Sequence, residues 1–163
     1  MKGVRIMKWK KWLENWDMTS LKINAKFLEM EWKPQTNDQD AAWELYIELL
    51  TRITTQELAA DDGDEQSALS SVYKIFDLTR NIIKKYKRDC MEFTKIAIVM
   101  LNQKIRPFTA KWHKTSINGF TEEDKTNFRN DLKELQSTLR IYTQMLGQMA
   151  GVEEINDLTS LEQ

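Results

Sequence analysis

The chain predicts an all-α fold: an antiparallel four-helix bundle with an N-terminal amphipathic or extended arm. Three observations lead there. Five glycines and two prolines in 163 residues leave little turn material for a sheet with many hairpins. Phe128, Leu132, Leu135, Leu139, Tyr142, Leu146 and Met149 recur in alternating steps of four and three, the seven-residue repeat of a helix that faces other helices. Residues 96–101 are continuously apolar and sit inside a longer stretch without a breaker. One domain with a sizeable core is expected at this length, divided into an arm (1–34), the bundle (35–152) and a C-terminal tail (153–163).

Taken in order, the arm places Ile6, Trp9, Leu13 and Trp16 on one helical face, with Lys8, Lys10, Lys11 and Glu14 elsewhere. Residues 21–27 alternate polar and apolar like a strand, and Pro34 closes the segment. Asn37 or Asp38 caps a helix that runs to about Leu58, with Trp43, Tyr46, Ile47, Leu50 and Ile53 as its stripe. Asp61-Asp62-Gly63-Asp64-Glu65 lacks the alternating ligands of a calcium loop and reads as a solvated turn. A second helix spans about 64–87, with Leu69, Val72, Tyr73, Phe76, Ile83 and Tyr86 inward. A third spans about 89–114. Its middle is apolar nearly all round, which predicts the most buried helix. Pro107 predicts either a kink near Ile105 and Arg106 or a new helix with the proline in its first turn. The last helix opens on Thr121, followed by Glu122, Glu123 and Asp124, and stops at Gly151.

Composition excludes several functions. A net charge of −1 argues against a dedicated nucleic-acid binder. The single Cys90 forms no internal disulfide and reads as a buried thiol. The longest apolar run is six residues against the roughly twenty of a membrane span. No signal-peptide core follows the basic start, so the cytoplasm is the expected compartment. Glu44 and Glu48 share a face, but a di-metal bundle site needs Glu-x-x-His motifs and the chain has one histidine. No Gly-rich phosphate loop and no nucleophile elbow occurs, so no metal or cofactor is expected. The methionines follow helical spacing and read as core filler.

Two features point to function. Trp9, Trp12 and Trp16, with Ile6 and Leu13, form an aromatic face among lysines. Such an element packs on its own bundle, docks on a protein partner or lies on an anionic membrane. A protein partner is the leading expectation, a second copy of the chain or a membrane surface the next, and nucleic acid is disfavoured. The other feature is Ile105-Arg106-Pro107-Phe108-Thr109-Ala110-Lys111-Trp112-His113, which holds the only histidine. Arg106 and His113 are seven apart and share a face of a continuous helix.

This block, together with Asp40-Ala41-Ala42-Trp43-Glu44-Leu45-Tyr46, resembles small bacterial helical proteins carrying an Arg-Pro-Phe-x-x-Lys-Trp-His sequence. The resemblance covers about residues 20–150. It implies a bacterial cytoplasmic accessory of a defence or signalling system and brings no activity. Pro107, Phe108 and Trp112 are its structural members. Arg106-x6-His113 also resembles the Arg-x4–6-His pattern of HEPN-class ribonucleases. That likeness implies His113 in proton transfer and Arg106 in stabilising a charged transition state. The residue after the arginine is usually polar in that class, and a kink at Pro107 would carry Arg106 off the face of His113. The competing structural expectation pairs Arg106 with a carboxylate and uses His113 to cap the helix C-terminus.

Overall fold

The computed structural model describes residues 6–52 and 64–161 and is all-α, with one two-stranded ribbon. In chain order the elements are β1 (Met7–Lys8), α1 (Trp9–Asn15), α2 (Ala25–Leu28), β2 (Glu31–Trp32), α3 (Thr36–Leu50) and α4 (Glu65–Tyr86). A 3₁₀ turn (Lys87–Cys90) leads to α5 (Met91–Met100), a π-helical segment (Leu101–Ile105), α6 (Arg106–Asn118) and α7 (Glu122–Met149). Expectations about Ile53, the reach of α3 to Leu58, residues 61–63 of the acidic loop and the first five residues of the arm lie outside the described residues.

The last helix follows its sequence signals closely. The Thr121 hydroxyl accepts the Asp124 N–H at 3.1 Å, and the Asp124 carboxylate accepts the Thr121 N–H at 3.0 Å. This capping box satisfies two donors that a helix start leaves open. At the other end Gly151 takes φ +83°. Val152 N–H then donates to Gly147 O at 2.9 Å and Gly151 N–H to Gln148 O at 3.0 Å, the paired bonds of a Schellman stop.

Four local readings are corrected. Residues 21–27 form no strand: the Asn24 side chain accepts from the N–H groups of Lys26 and Phe27 and starts the single turn α2. A cap overrides a short alternation that has no partner strand. Gln35, not Asn37 or Asp38, precedes α3. Asp38 sits in the first turn, where its carboxylate reaches back to the Gln35 N–H at 2.8 Å. The core face of α3 is Ala41, Ala42, Leu45, Tyr46 and Leu49, one residue round from the predicted stripe, which leaves Trp43 44 % exposed. On α4 the buried set is Ala68, Leu69, Val72, Ile75, Phe76 and Ile82, and Tyr73 is exposed at its edge.

The third predicted helix is divided. Lys87 at φ +57° ends α4 and the 3₁₀ turn opens α5. α5 is not apolar-buried all round, since Met91 and Ile98 are exposed. Pro107 lies in the first turn of α6, and the turn before it widens to a π segment in which Arg106 N–H donates to Leu101 O. Proline cannot donate to the carbonyl four residues back and its ring crowds that turn, so the widening absorbs the conflict. Cys90 is buried as its surroundings predict, and burial pushes its thiol pKa up.

α3 packs on α7, and at Tyr46 the approach is close because Gly147 carries no side chain. A Cβ on Gly147 would stand 2.9 Å from Tyr46 Cε1. The Tyr46 ring cannot retreat. Its hydroxyl donates to Asp157 Oδ1 at 2.7 Å and accepts the Leu158 N–H at 2.6 Å, while burial and the neighbouring carboxylate push its pKa up to about 12. Gly147→Ala is therefore expected to destabilise by about 1–2 kcal/mol, since overpacking outweighs alanine's better helix propensity. In a Tyr46→Phe background, where the ring is no longer pinned, the same substitution should cost less. A double-mutant cycle by urea denaturation reads the difference, and equal costs in both backgrounds would refute the pinned ring.

Asp38 is 1 % exposed and joins two helix starts. One oxygen accepts Gln35 N–H; the other accepts Phe93 N–H at 3.1 Å in the first turn of α5. Removing it in Asp38→Ala leaves two donors unsatisfied, with an expected loss of about 2–4 kcal/mol. Burial raises its pKa above the ordinary carboxylate value despite those bonds. The raised folded pKa means the group favours the folded state below about pH 4 and loses that contribution as pH rises through the folded value. Asp38→Asn does not titrate. The stability advantage of wild type over this variant should thus shrink as pH increases from acid to neutral, measured by thermal melts across the range.

Candidate functional site

The aromatic face of the arm is not free. Trp9 and Trp12 are fully buried and Leu13 is 3 % exposed, all in the same hydrophobic cluster as the long helices. β1 pairs antiparallel with β2, Met7 opposite Trp32, which folds residues 6–34 back on themselves. Trp12 then stacks on Trp32 with ring centroids 4.8 Å apart, and Trp9 lies 5.3 Å from Trp12 and 4.7 Å from Phe27. The indole N–H groups tie this cluster to the long helices. Trp9 donates to Glu92 on α5 at 3.3 Å, and Trp12 and Trp16 both donate to Gln148 Oε1 on α7, at 2.8 and 2.7 Å. The expected docking face of Trp9, Trp12 and Leu13 is thus spent inside the chain. Ile6 stays exposed and Trp16 is half-buried.

The block at residues 105–113 divides between core and surface. Ile105, Phe108, Thr109 and Trp112 are buried. Phe108 and Trp112 both contact the Phe128 ring, at 5.4 and 5.3 Å. Lys111 and the Trp112 indole converge on Asp131 of α7, at 2.6 and 3.1 Å. Pro107, Arg106 and His113 are exposed.

Arg106 and His113 both turn toward α4. The Arg106 guanidinium lies 5.0 Å from the centre of the Phe76 ring and its Nε donates to Asn102 Oδ1 at 3.3 Å. His113 Nδ1 is 3.3 Å from the Tyr73 hydroxyl, which also reaches the Thr109 carbonyl. The predicted displacement of Arg106 from that face does not occur, because the π segment ends before it and α6 begins at Arg106 itself. The structural expectation also needs correction: among the described residues Arg106 meets an aromatic face and an amide instead of a carboxylate. His113 lies within α6, whose end is formed by Gly119. Seven residues of helix separate the two side chains by about 10 Å of rise.

A second surface was missed at the level of sequence. Trp43, Ile47, Leu78 and Ile82 line a groove of about 380 Å³ between α3 and α4. At one side Lys85 donates to both oxygens of Glu44 at 3.1 Å, and the Tyr86 hydroxyl donates to the same carboxylate. This contact raises the Lys85 and Tyr86 pKa values. Glu48 pairs with Arg52 at 2.9 Å. The available signal was the run Ala41, Ala42, Leu45 and Leu49, which rotates the core face away from Trp43. Among the described residues no three His, Cys, Asp or Glu side chains gather as metal ligands, and no helix is long and apolar enough to cross a membrane. No family model, no curated protein and no solved structure matches this chain.

Proposed function

We propose that this chain is a helical interaction module that seats an amphipathic helix of a protein partner in the groove between α3 and α4. The observation that carries the reading is Trp43, an indole 44 % exposed beside an apolar floor. Tryptophans in such positions dominate binding energetics, and a groove between two helices is a common seat for a third. The rim carboxylates are already paired within the chain, Glu44 with Lys85 and Glu48 with Arg52. The fitting helix is therefore defined by an apolar stripe that covers Trp43, Ile47, Leu78 and Ile82, with neutral polar flanks over the paired rim.

The finer architecture belongs to the same proposal: α3, α4, the α5–α6 rod and α7 as an antiparallel four-helix bundle. The order of contacts supports it, since Gln66 reaches Ser116 while Phe76 meets Arg106. The bacterial, cytoplasmic accessory role is part of the same proposal and rests on the resemblance of residues 105–113.

A photo-crosslinking residue at position 43, used in cells, should capture a protein segment with such an apolar stripe. A synthetic peptide of the segment should bind the purified chain and become helical. Trp43→Ala should weaken it about thirtyfold, the scale of a hot-spot residue, with an unchanged melting profile. Capture of a second copy of this chain, or a peptide that binds the variant equally well, would overturn the reading.

A metal-independent ribonuclease is the second reading, favoured by one observation: Arg106 and His113 are both exposed on the side of α6 that meets α4. The unbonded ring nitrogen of His113 would move the proton and Arg106 would stabilise charge. On this reading purified protein cleaves RNA in chelator, and His113→Ala and Arg106→Ala each lose about a hundredfold or more at unchanged stability. Intact RNA after prolonged incubation with wild type would end it.

A further inference from the structure

We propose that the cavity where the arm, the end of α7 and the C-terminal tail meet binds a small organic ammonium compound with an apolar body. The cavity encloses about 340 Å³ and is lined by Trp16, Gln144, Gly147, Gln148, Val152, Glu154 and Asp157. That volume suits a molecule of the size of an arylalkylamine.

Each wall has a defined chemistry. The Trp16 indole is held by its N–H bond to Gln148 Oε1, so the aromatic wall is set before a ligand arrives. Gly147 contributes backbone to the lining, and Val152 supplies apolar surface. The amides are sorted by their existing bonds. Gln148 Oε1 already accepts two indole N–H groups, which leaves its NH₂ as the available donor. Gln144 donates through Nε2 to Thr159 Oγ1 at 3.3 Å, which leaves its carbonyl as an acceptor.

The sign of the ligand follows from the carboxylates. Asp157 is occupied structurally: Oδ1 takes Tyr46 and the Thr159 N–H at 2.7 and 3.1 Å, and Oδ2 takes the Thr159 hydroxyl at 2.7 Å. Glu154 is exposed and meets no cation among the described residues. Among the described residues two carboxylates line the cavity and no Lys or Arg does, which disfavours anions. An ammonium group gains the Glu154 charge and the Gln144 carbonyl, while its apolar body lies against Trp16 and Val152.

Phenethylammonium is a suitable probe, with 2-phenylethanol as the uncharged compound of nearly the same shape. In a ¹⁵N NMR titration of the full chain, phenethylammonium should shift the Trp16 indole and Gln148 side-chain signals saturably, at concentrations on the order of a millimolar. The alcohol should bind about threefold more weakly, the ratio expected from one exposed ion pair. Glu154→Gln, at an exposed position that leaves the fold intact, should erase that ratio. Trp16→Leu should abolish saturation for both probes. Equal affinity for the two probes in wild type, a Glu154→Gln variant that still distinguishes them, or signals that never saturate would each overturn the proposal.

Discussion

The close contact of Tyr46 with Gly147 is the constraint on which much of this structure depends. It sets the separation of α3 and α7, and it does so at the last turn of α7, where three other segments converge. Gln148, the next residue, holds the indoles of Trp12 and Trp16 and so anchors the arm. Gly151, in a left-handed conformation, turns the chain back. The tail then crosses to Tyr46, where Asp157 and Leu158 lock the ring against Gly147. A glycine, an amide and a phenol thus organise four segments through directional contacts, inside a core whose apolar packing alone would tolerate other spacings.

Buried and half-buried carboxylates serve as the second kind of anchor. Asp38 joins the starts of α3 and α5, and Glu92 receives both the Trp9 indole and the Lys33 N–H. Glu65, 6 % exposed, accepts Arg129 Nε at 2.7 Å and ties the start of α4 to α7. Each carboxylate sits near a helix start, where backbone N–H groups have no partner within the helix and the dipole favours negative charge. These sites are costly to bury and costly to break, and they define one arrangement of helices that could otherwise slide along their apolar faces.

The surface that remains is what these anchors leave uncovered. The arm fills the side of α1 that its sequence offers to a partner, and the Phe108–Trp112–Phe128 cluster absorbs most of the block at residues 105–113. What is left is a half-exposed tryptophan between α3 and α4, a cation and a histidine beside α4, and an acidic cavity beside Trp16.

Where a feature depends on neighbours in sequence, the sequence by itself determined it. The bounds of α7 follow from Thr121, the seven-residue repeat and Gly151. The bounds of α4 follow from the acids before it, and the all-α class from periodicity and sparse turn residues. Those signals act within one or two helical turns. The single turn α2 was also local, but the Asn24 cap that makes it was obscured by a chance alternation. Only the tertiary structure decided the destination of the arm and the seat of Tyr46. An amphipathic face looks the same whether it meets its own chain or another. Tyr46 is common to the expected and the observed face of α3, but the space for its ring comes from Gly147, about a hundred residues away, whose missing side chain lets α7 approach.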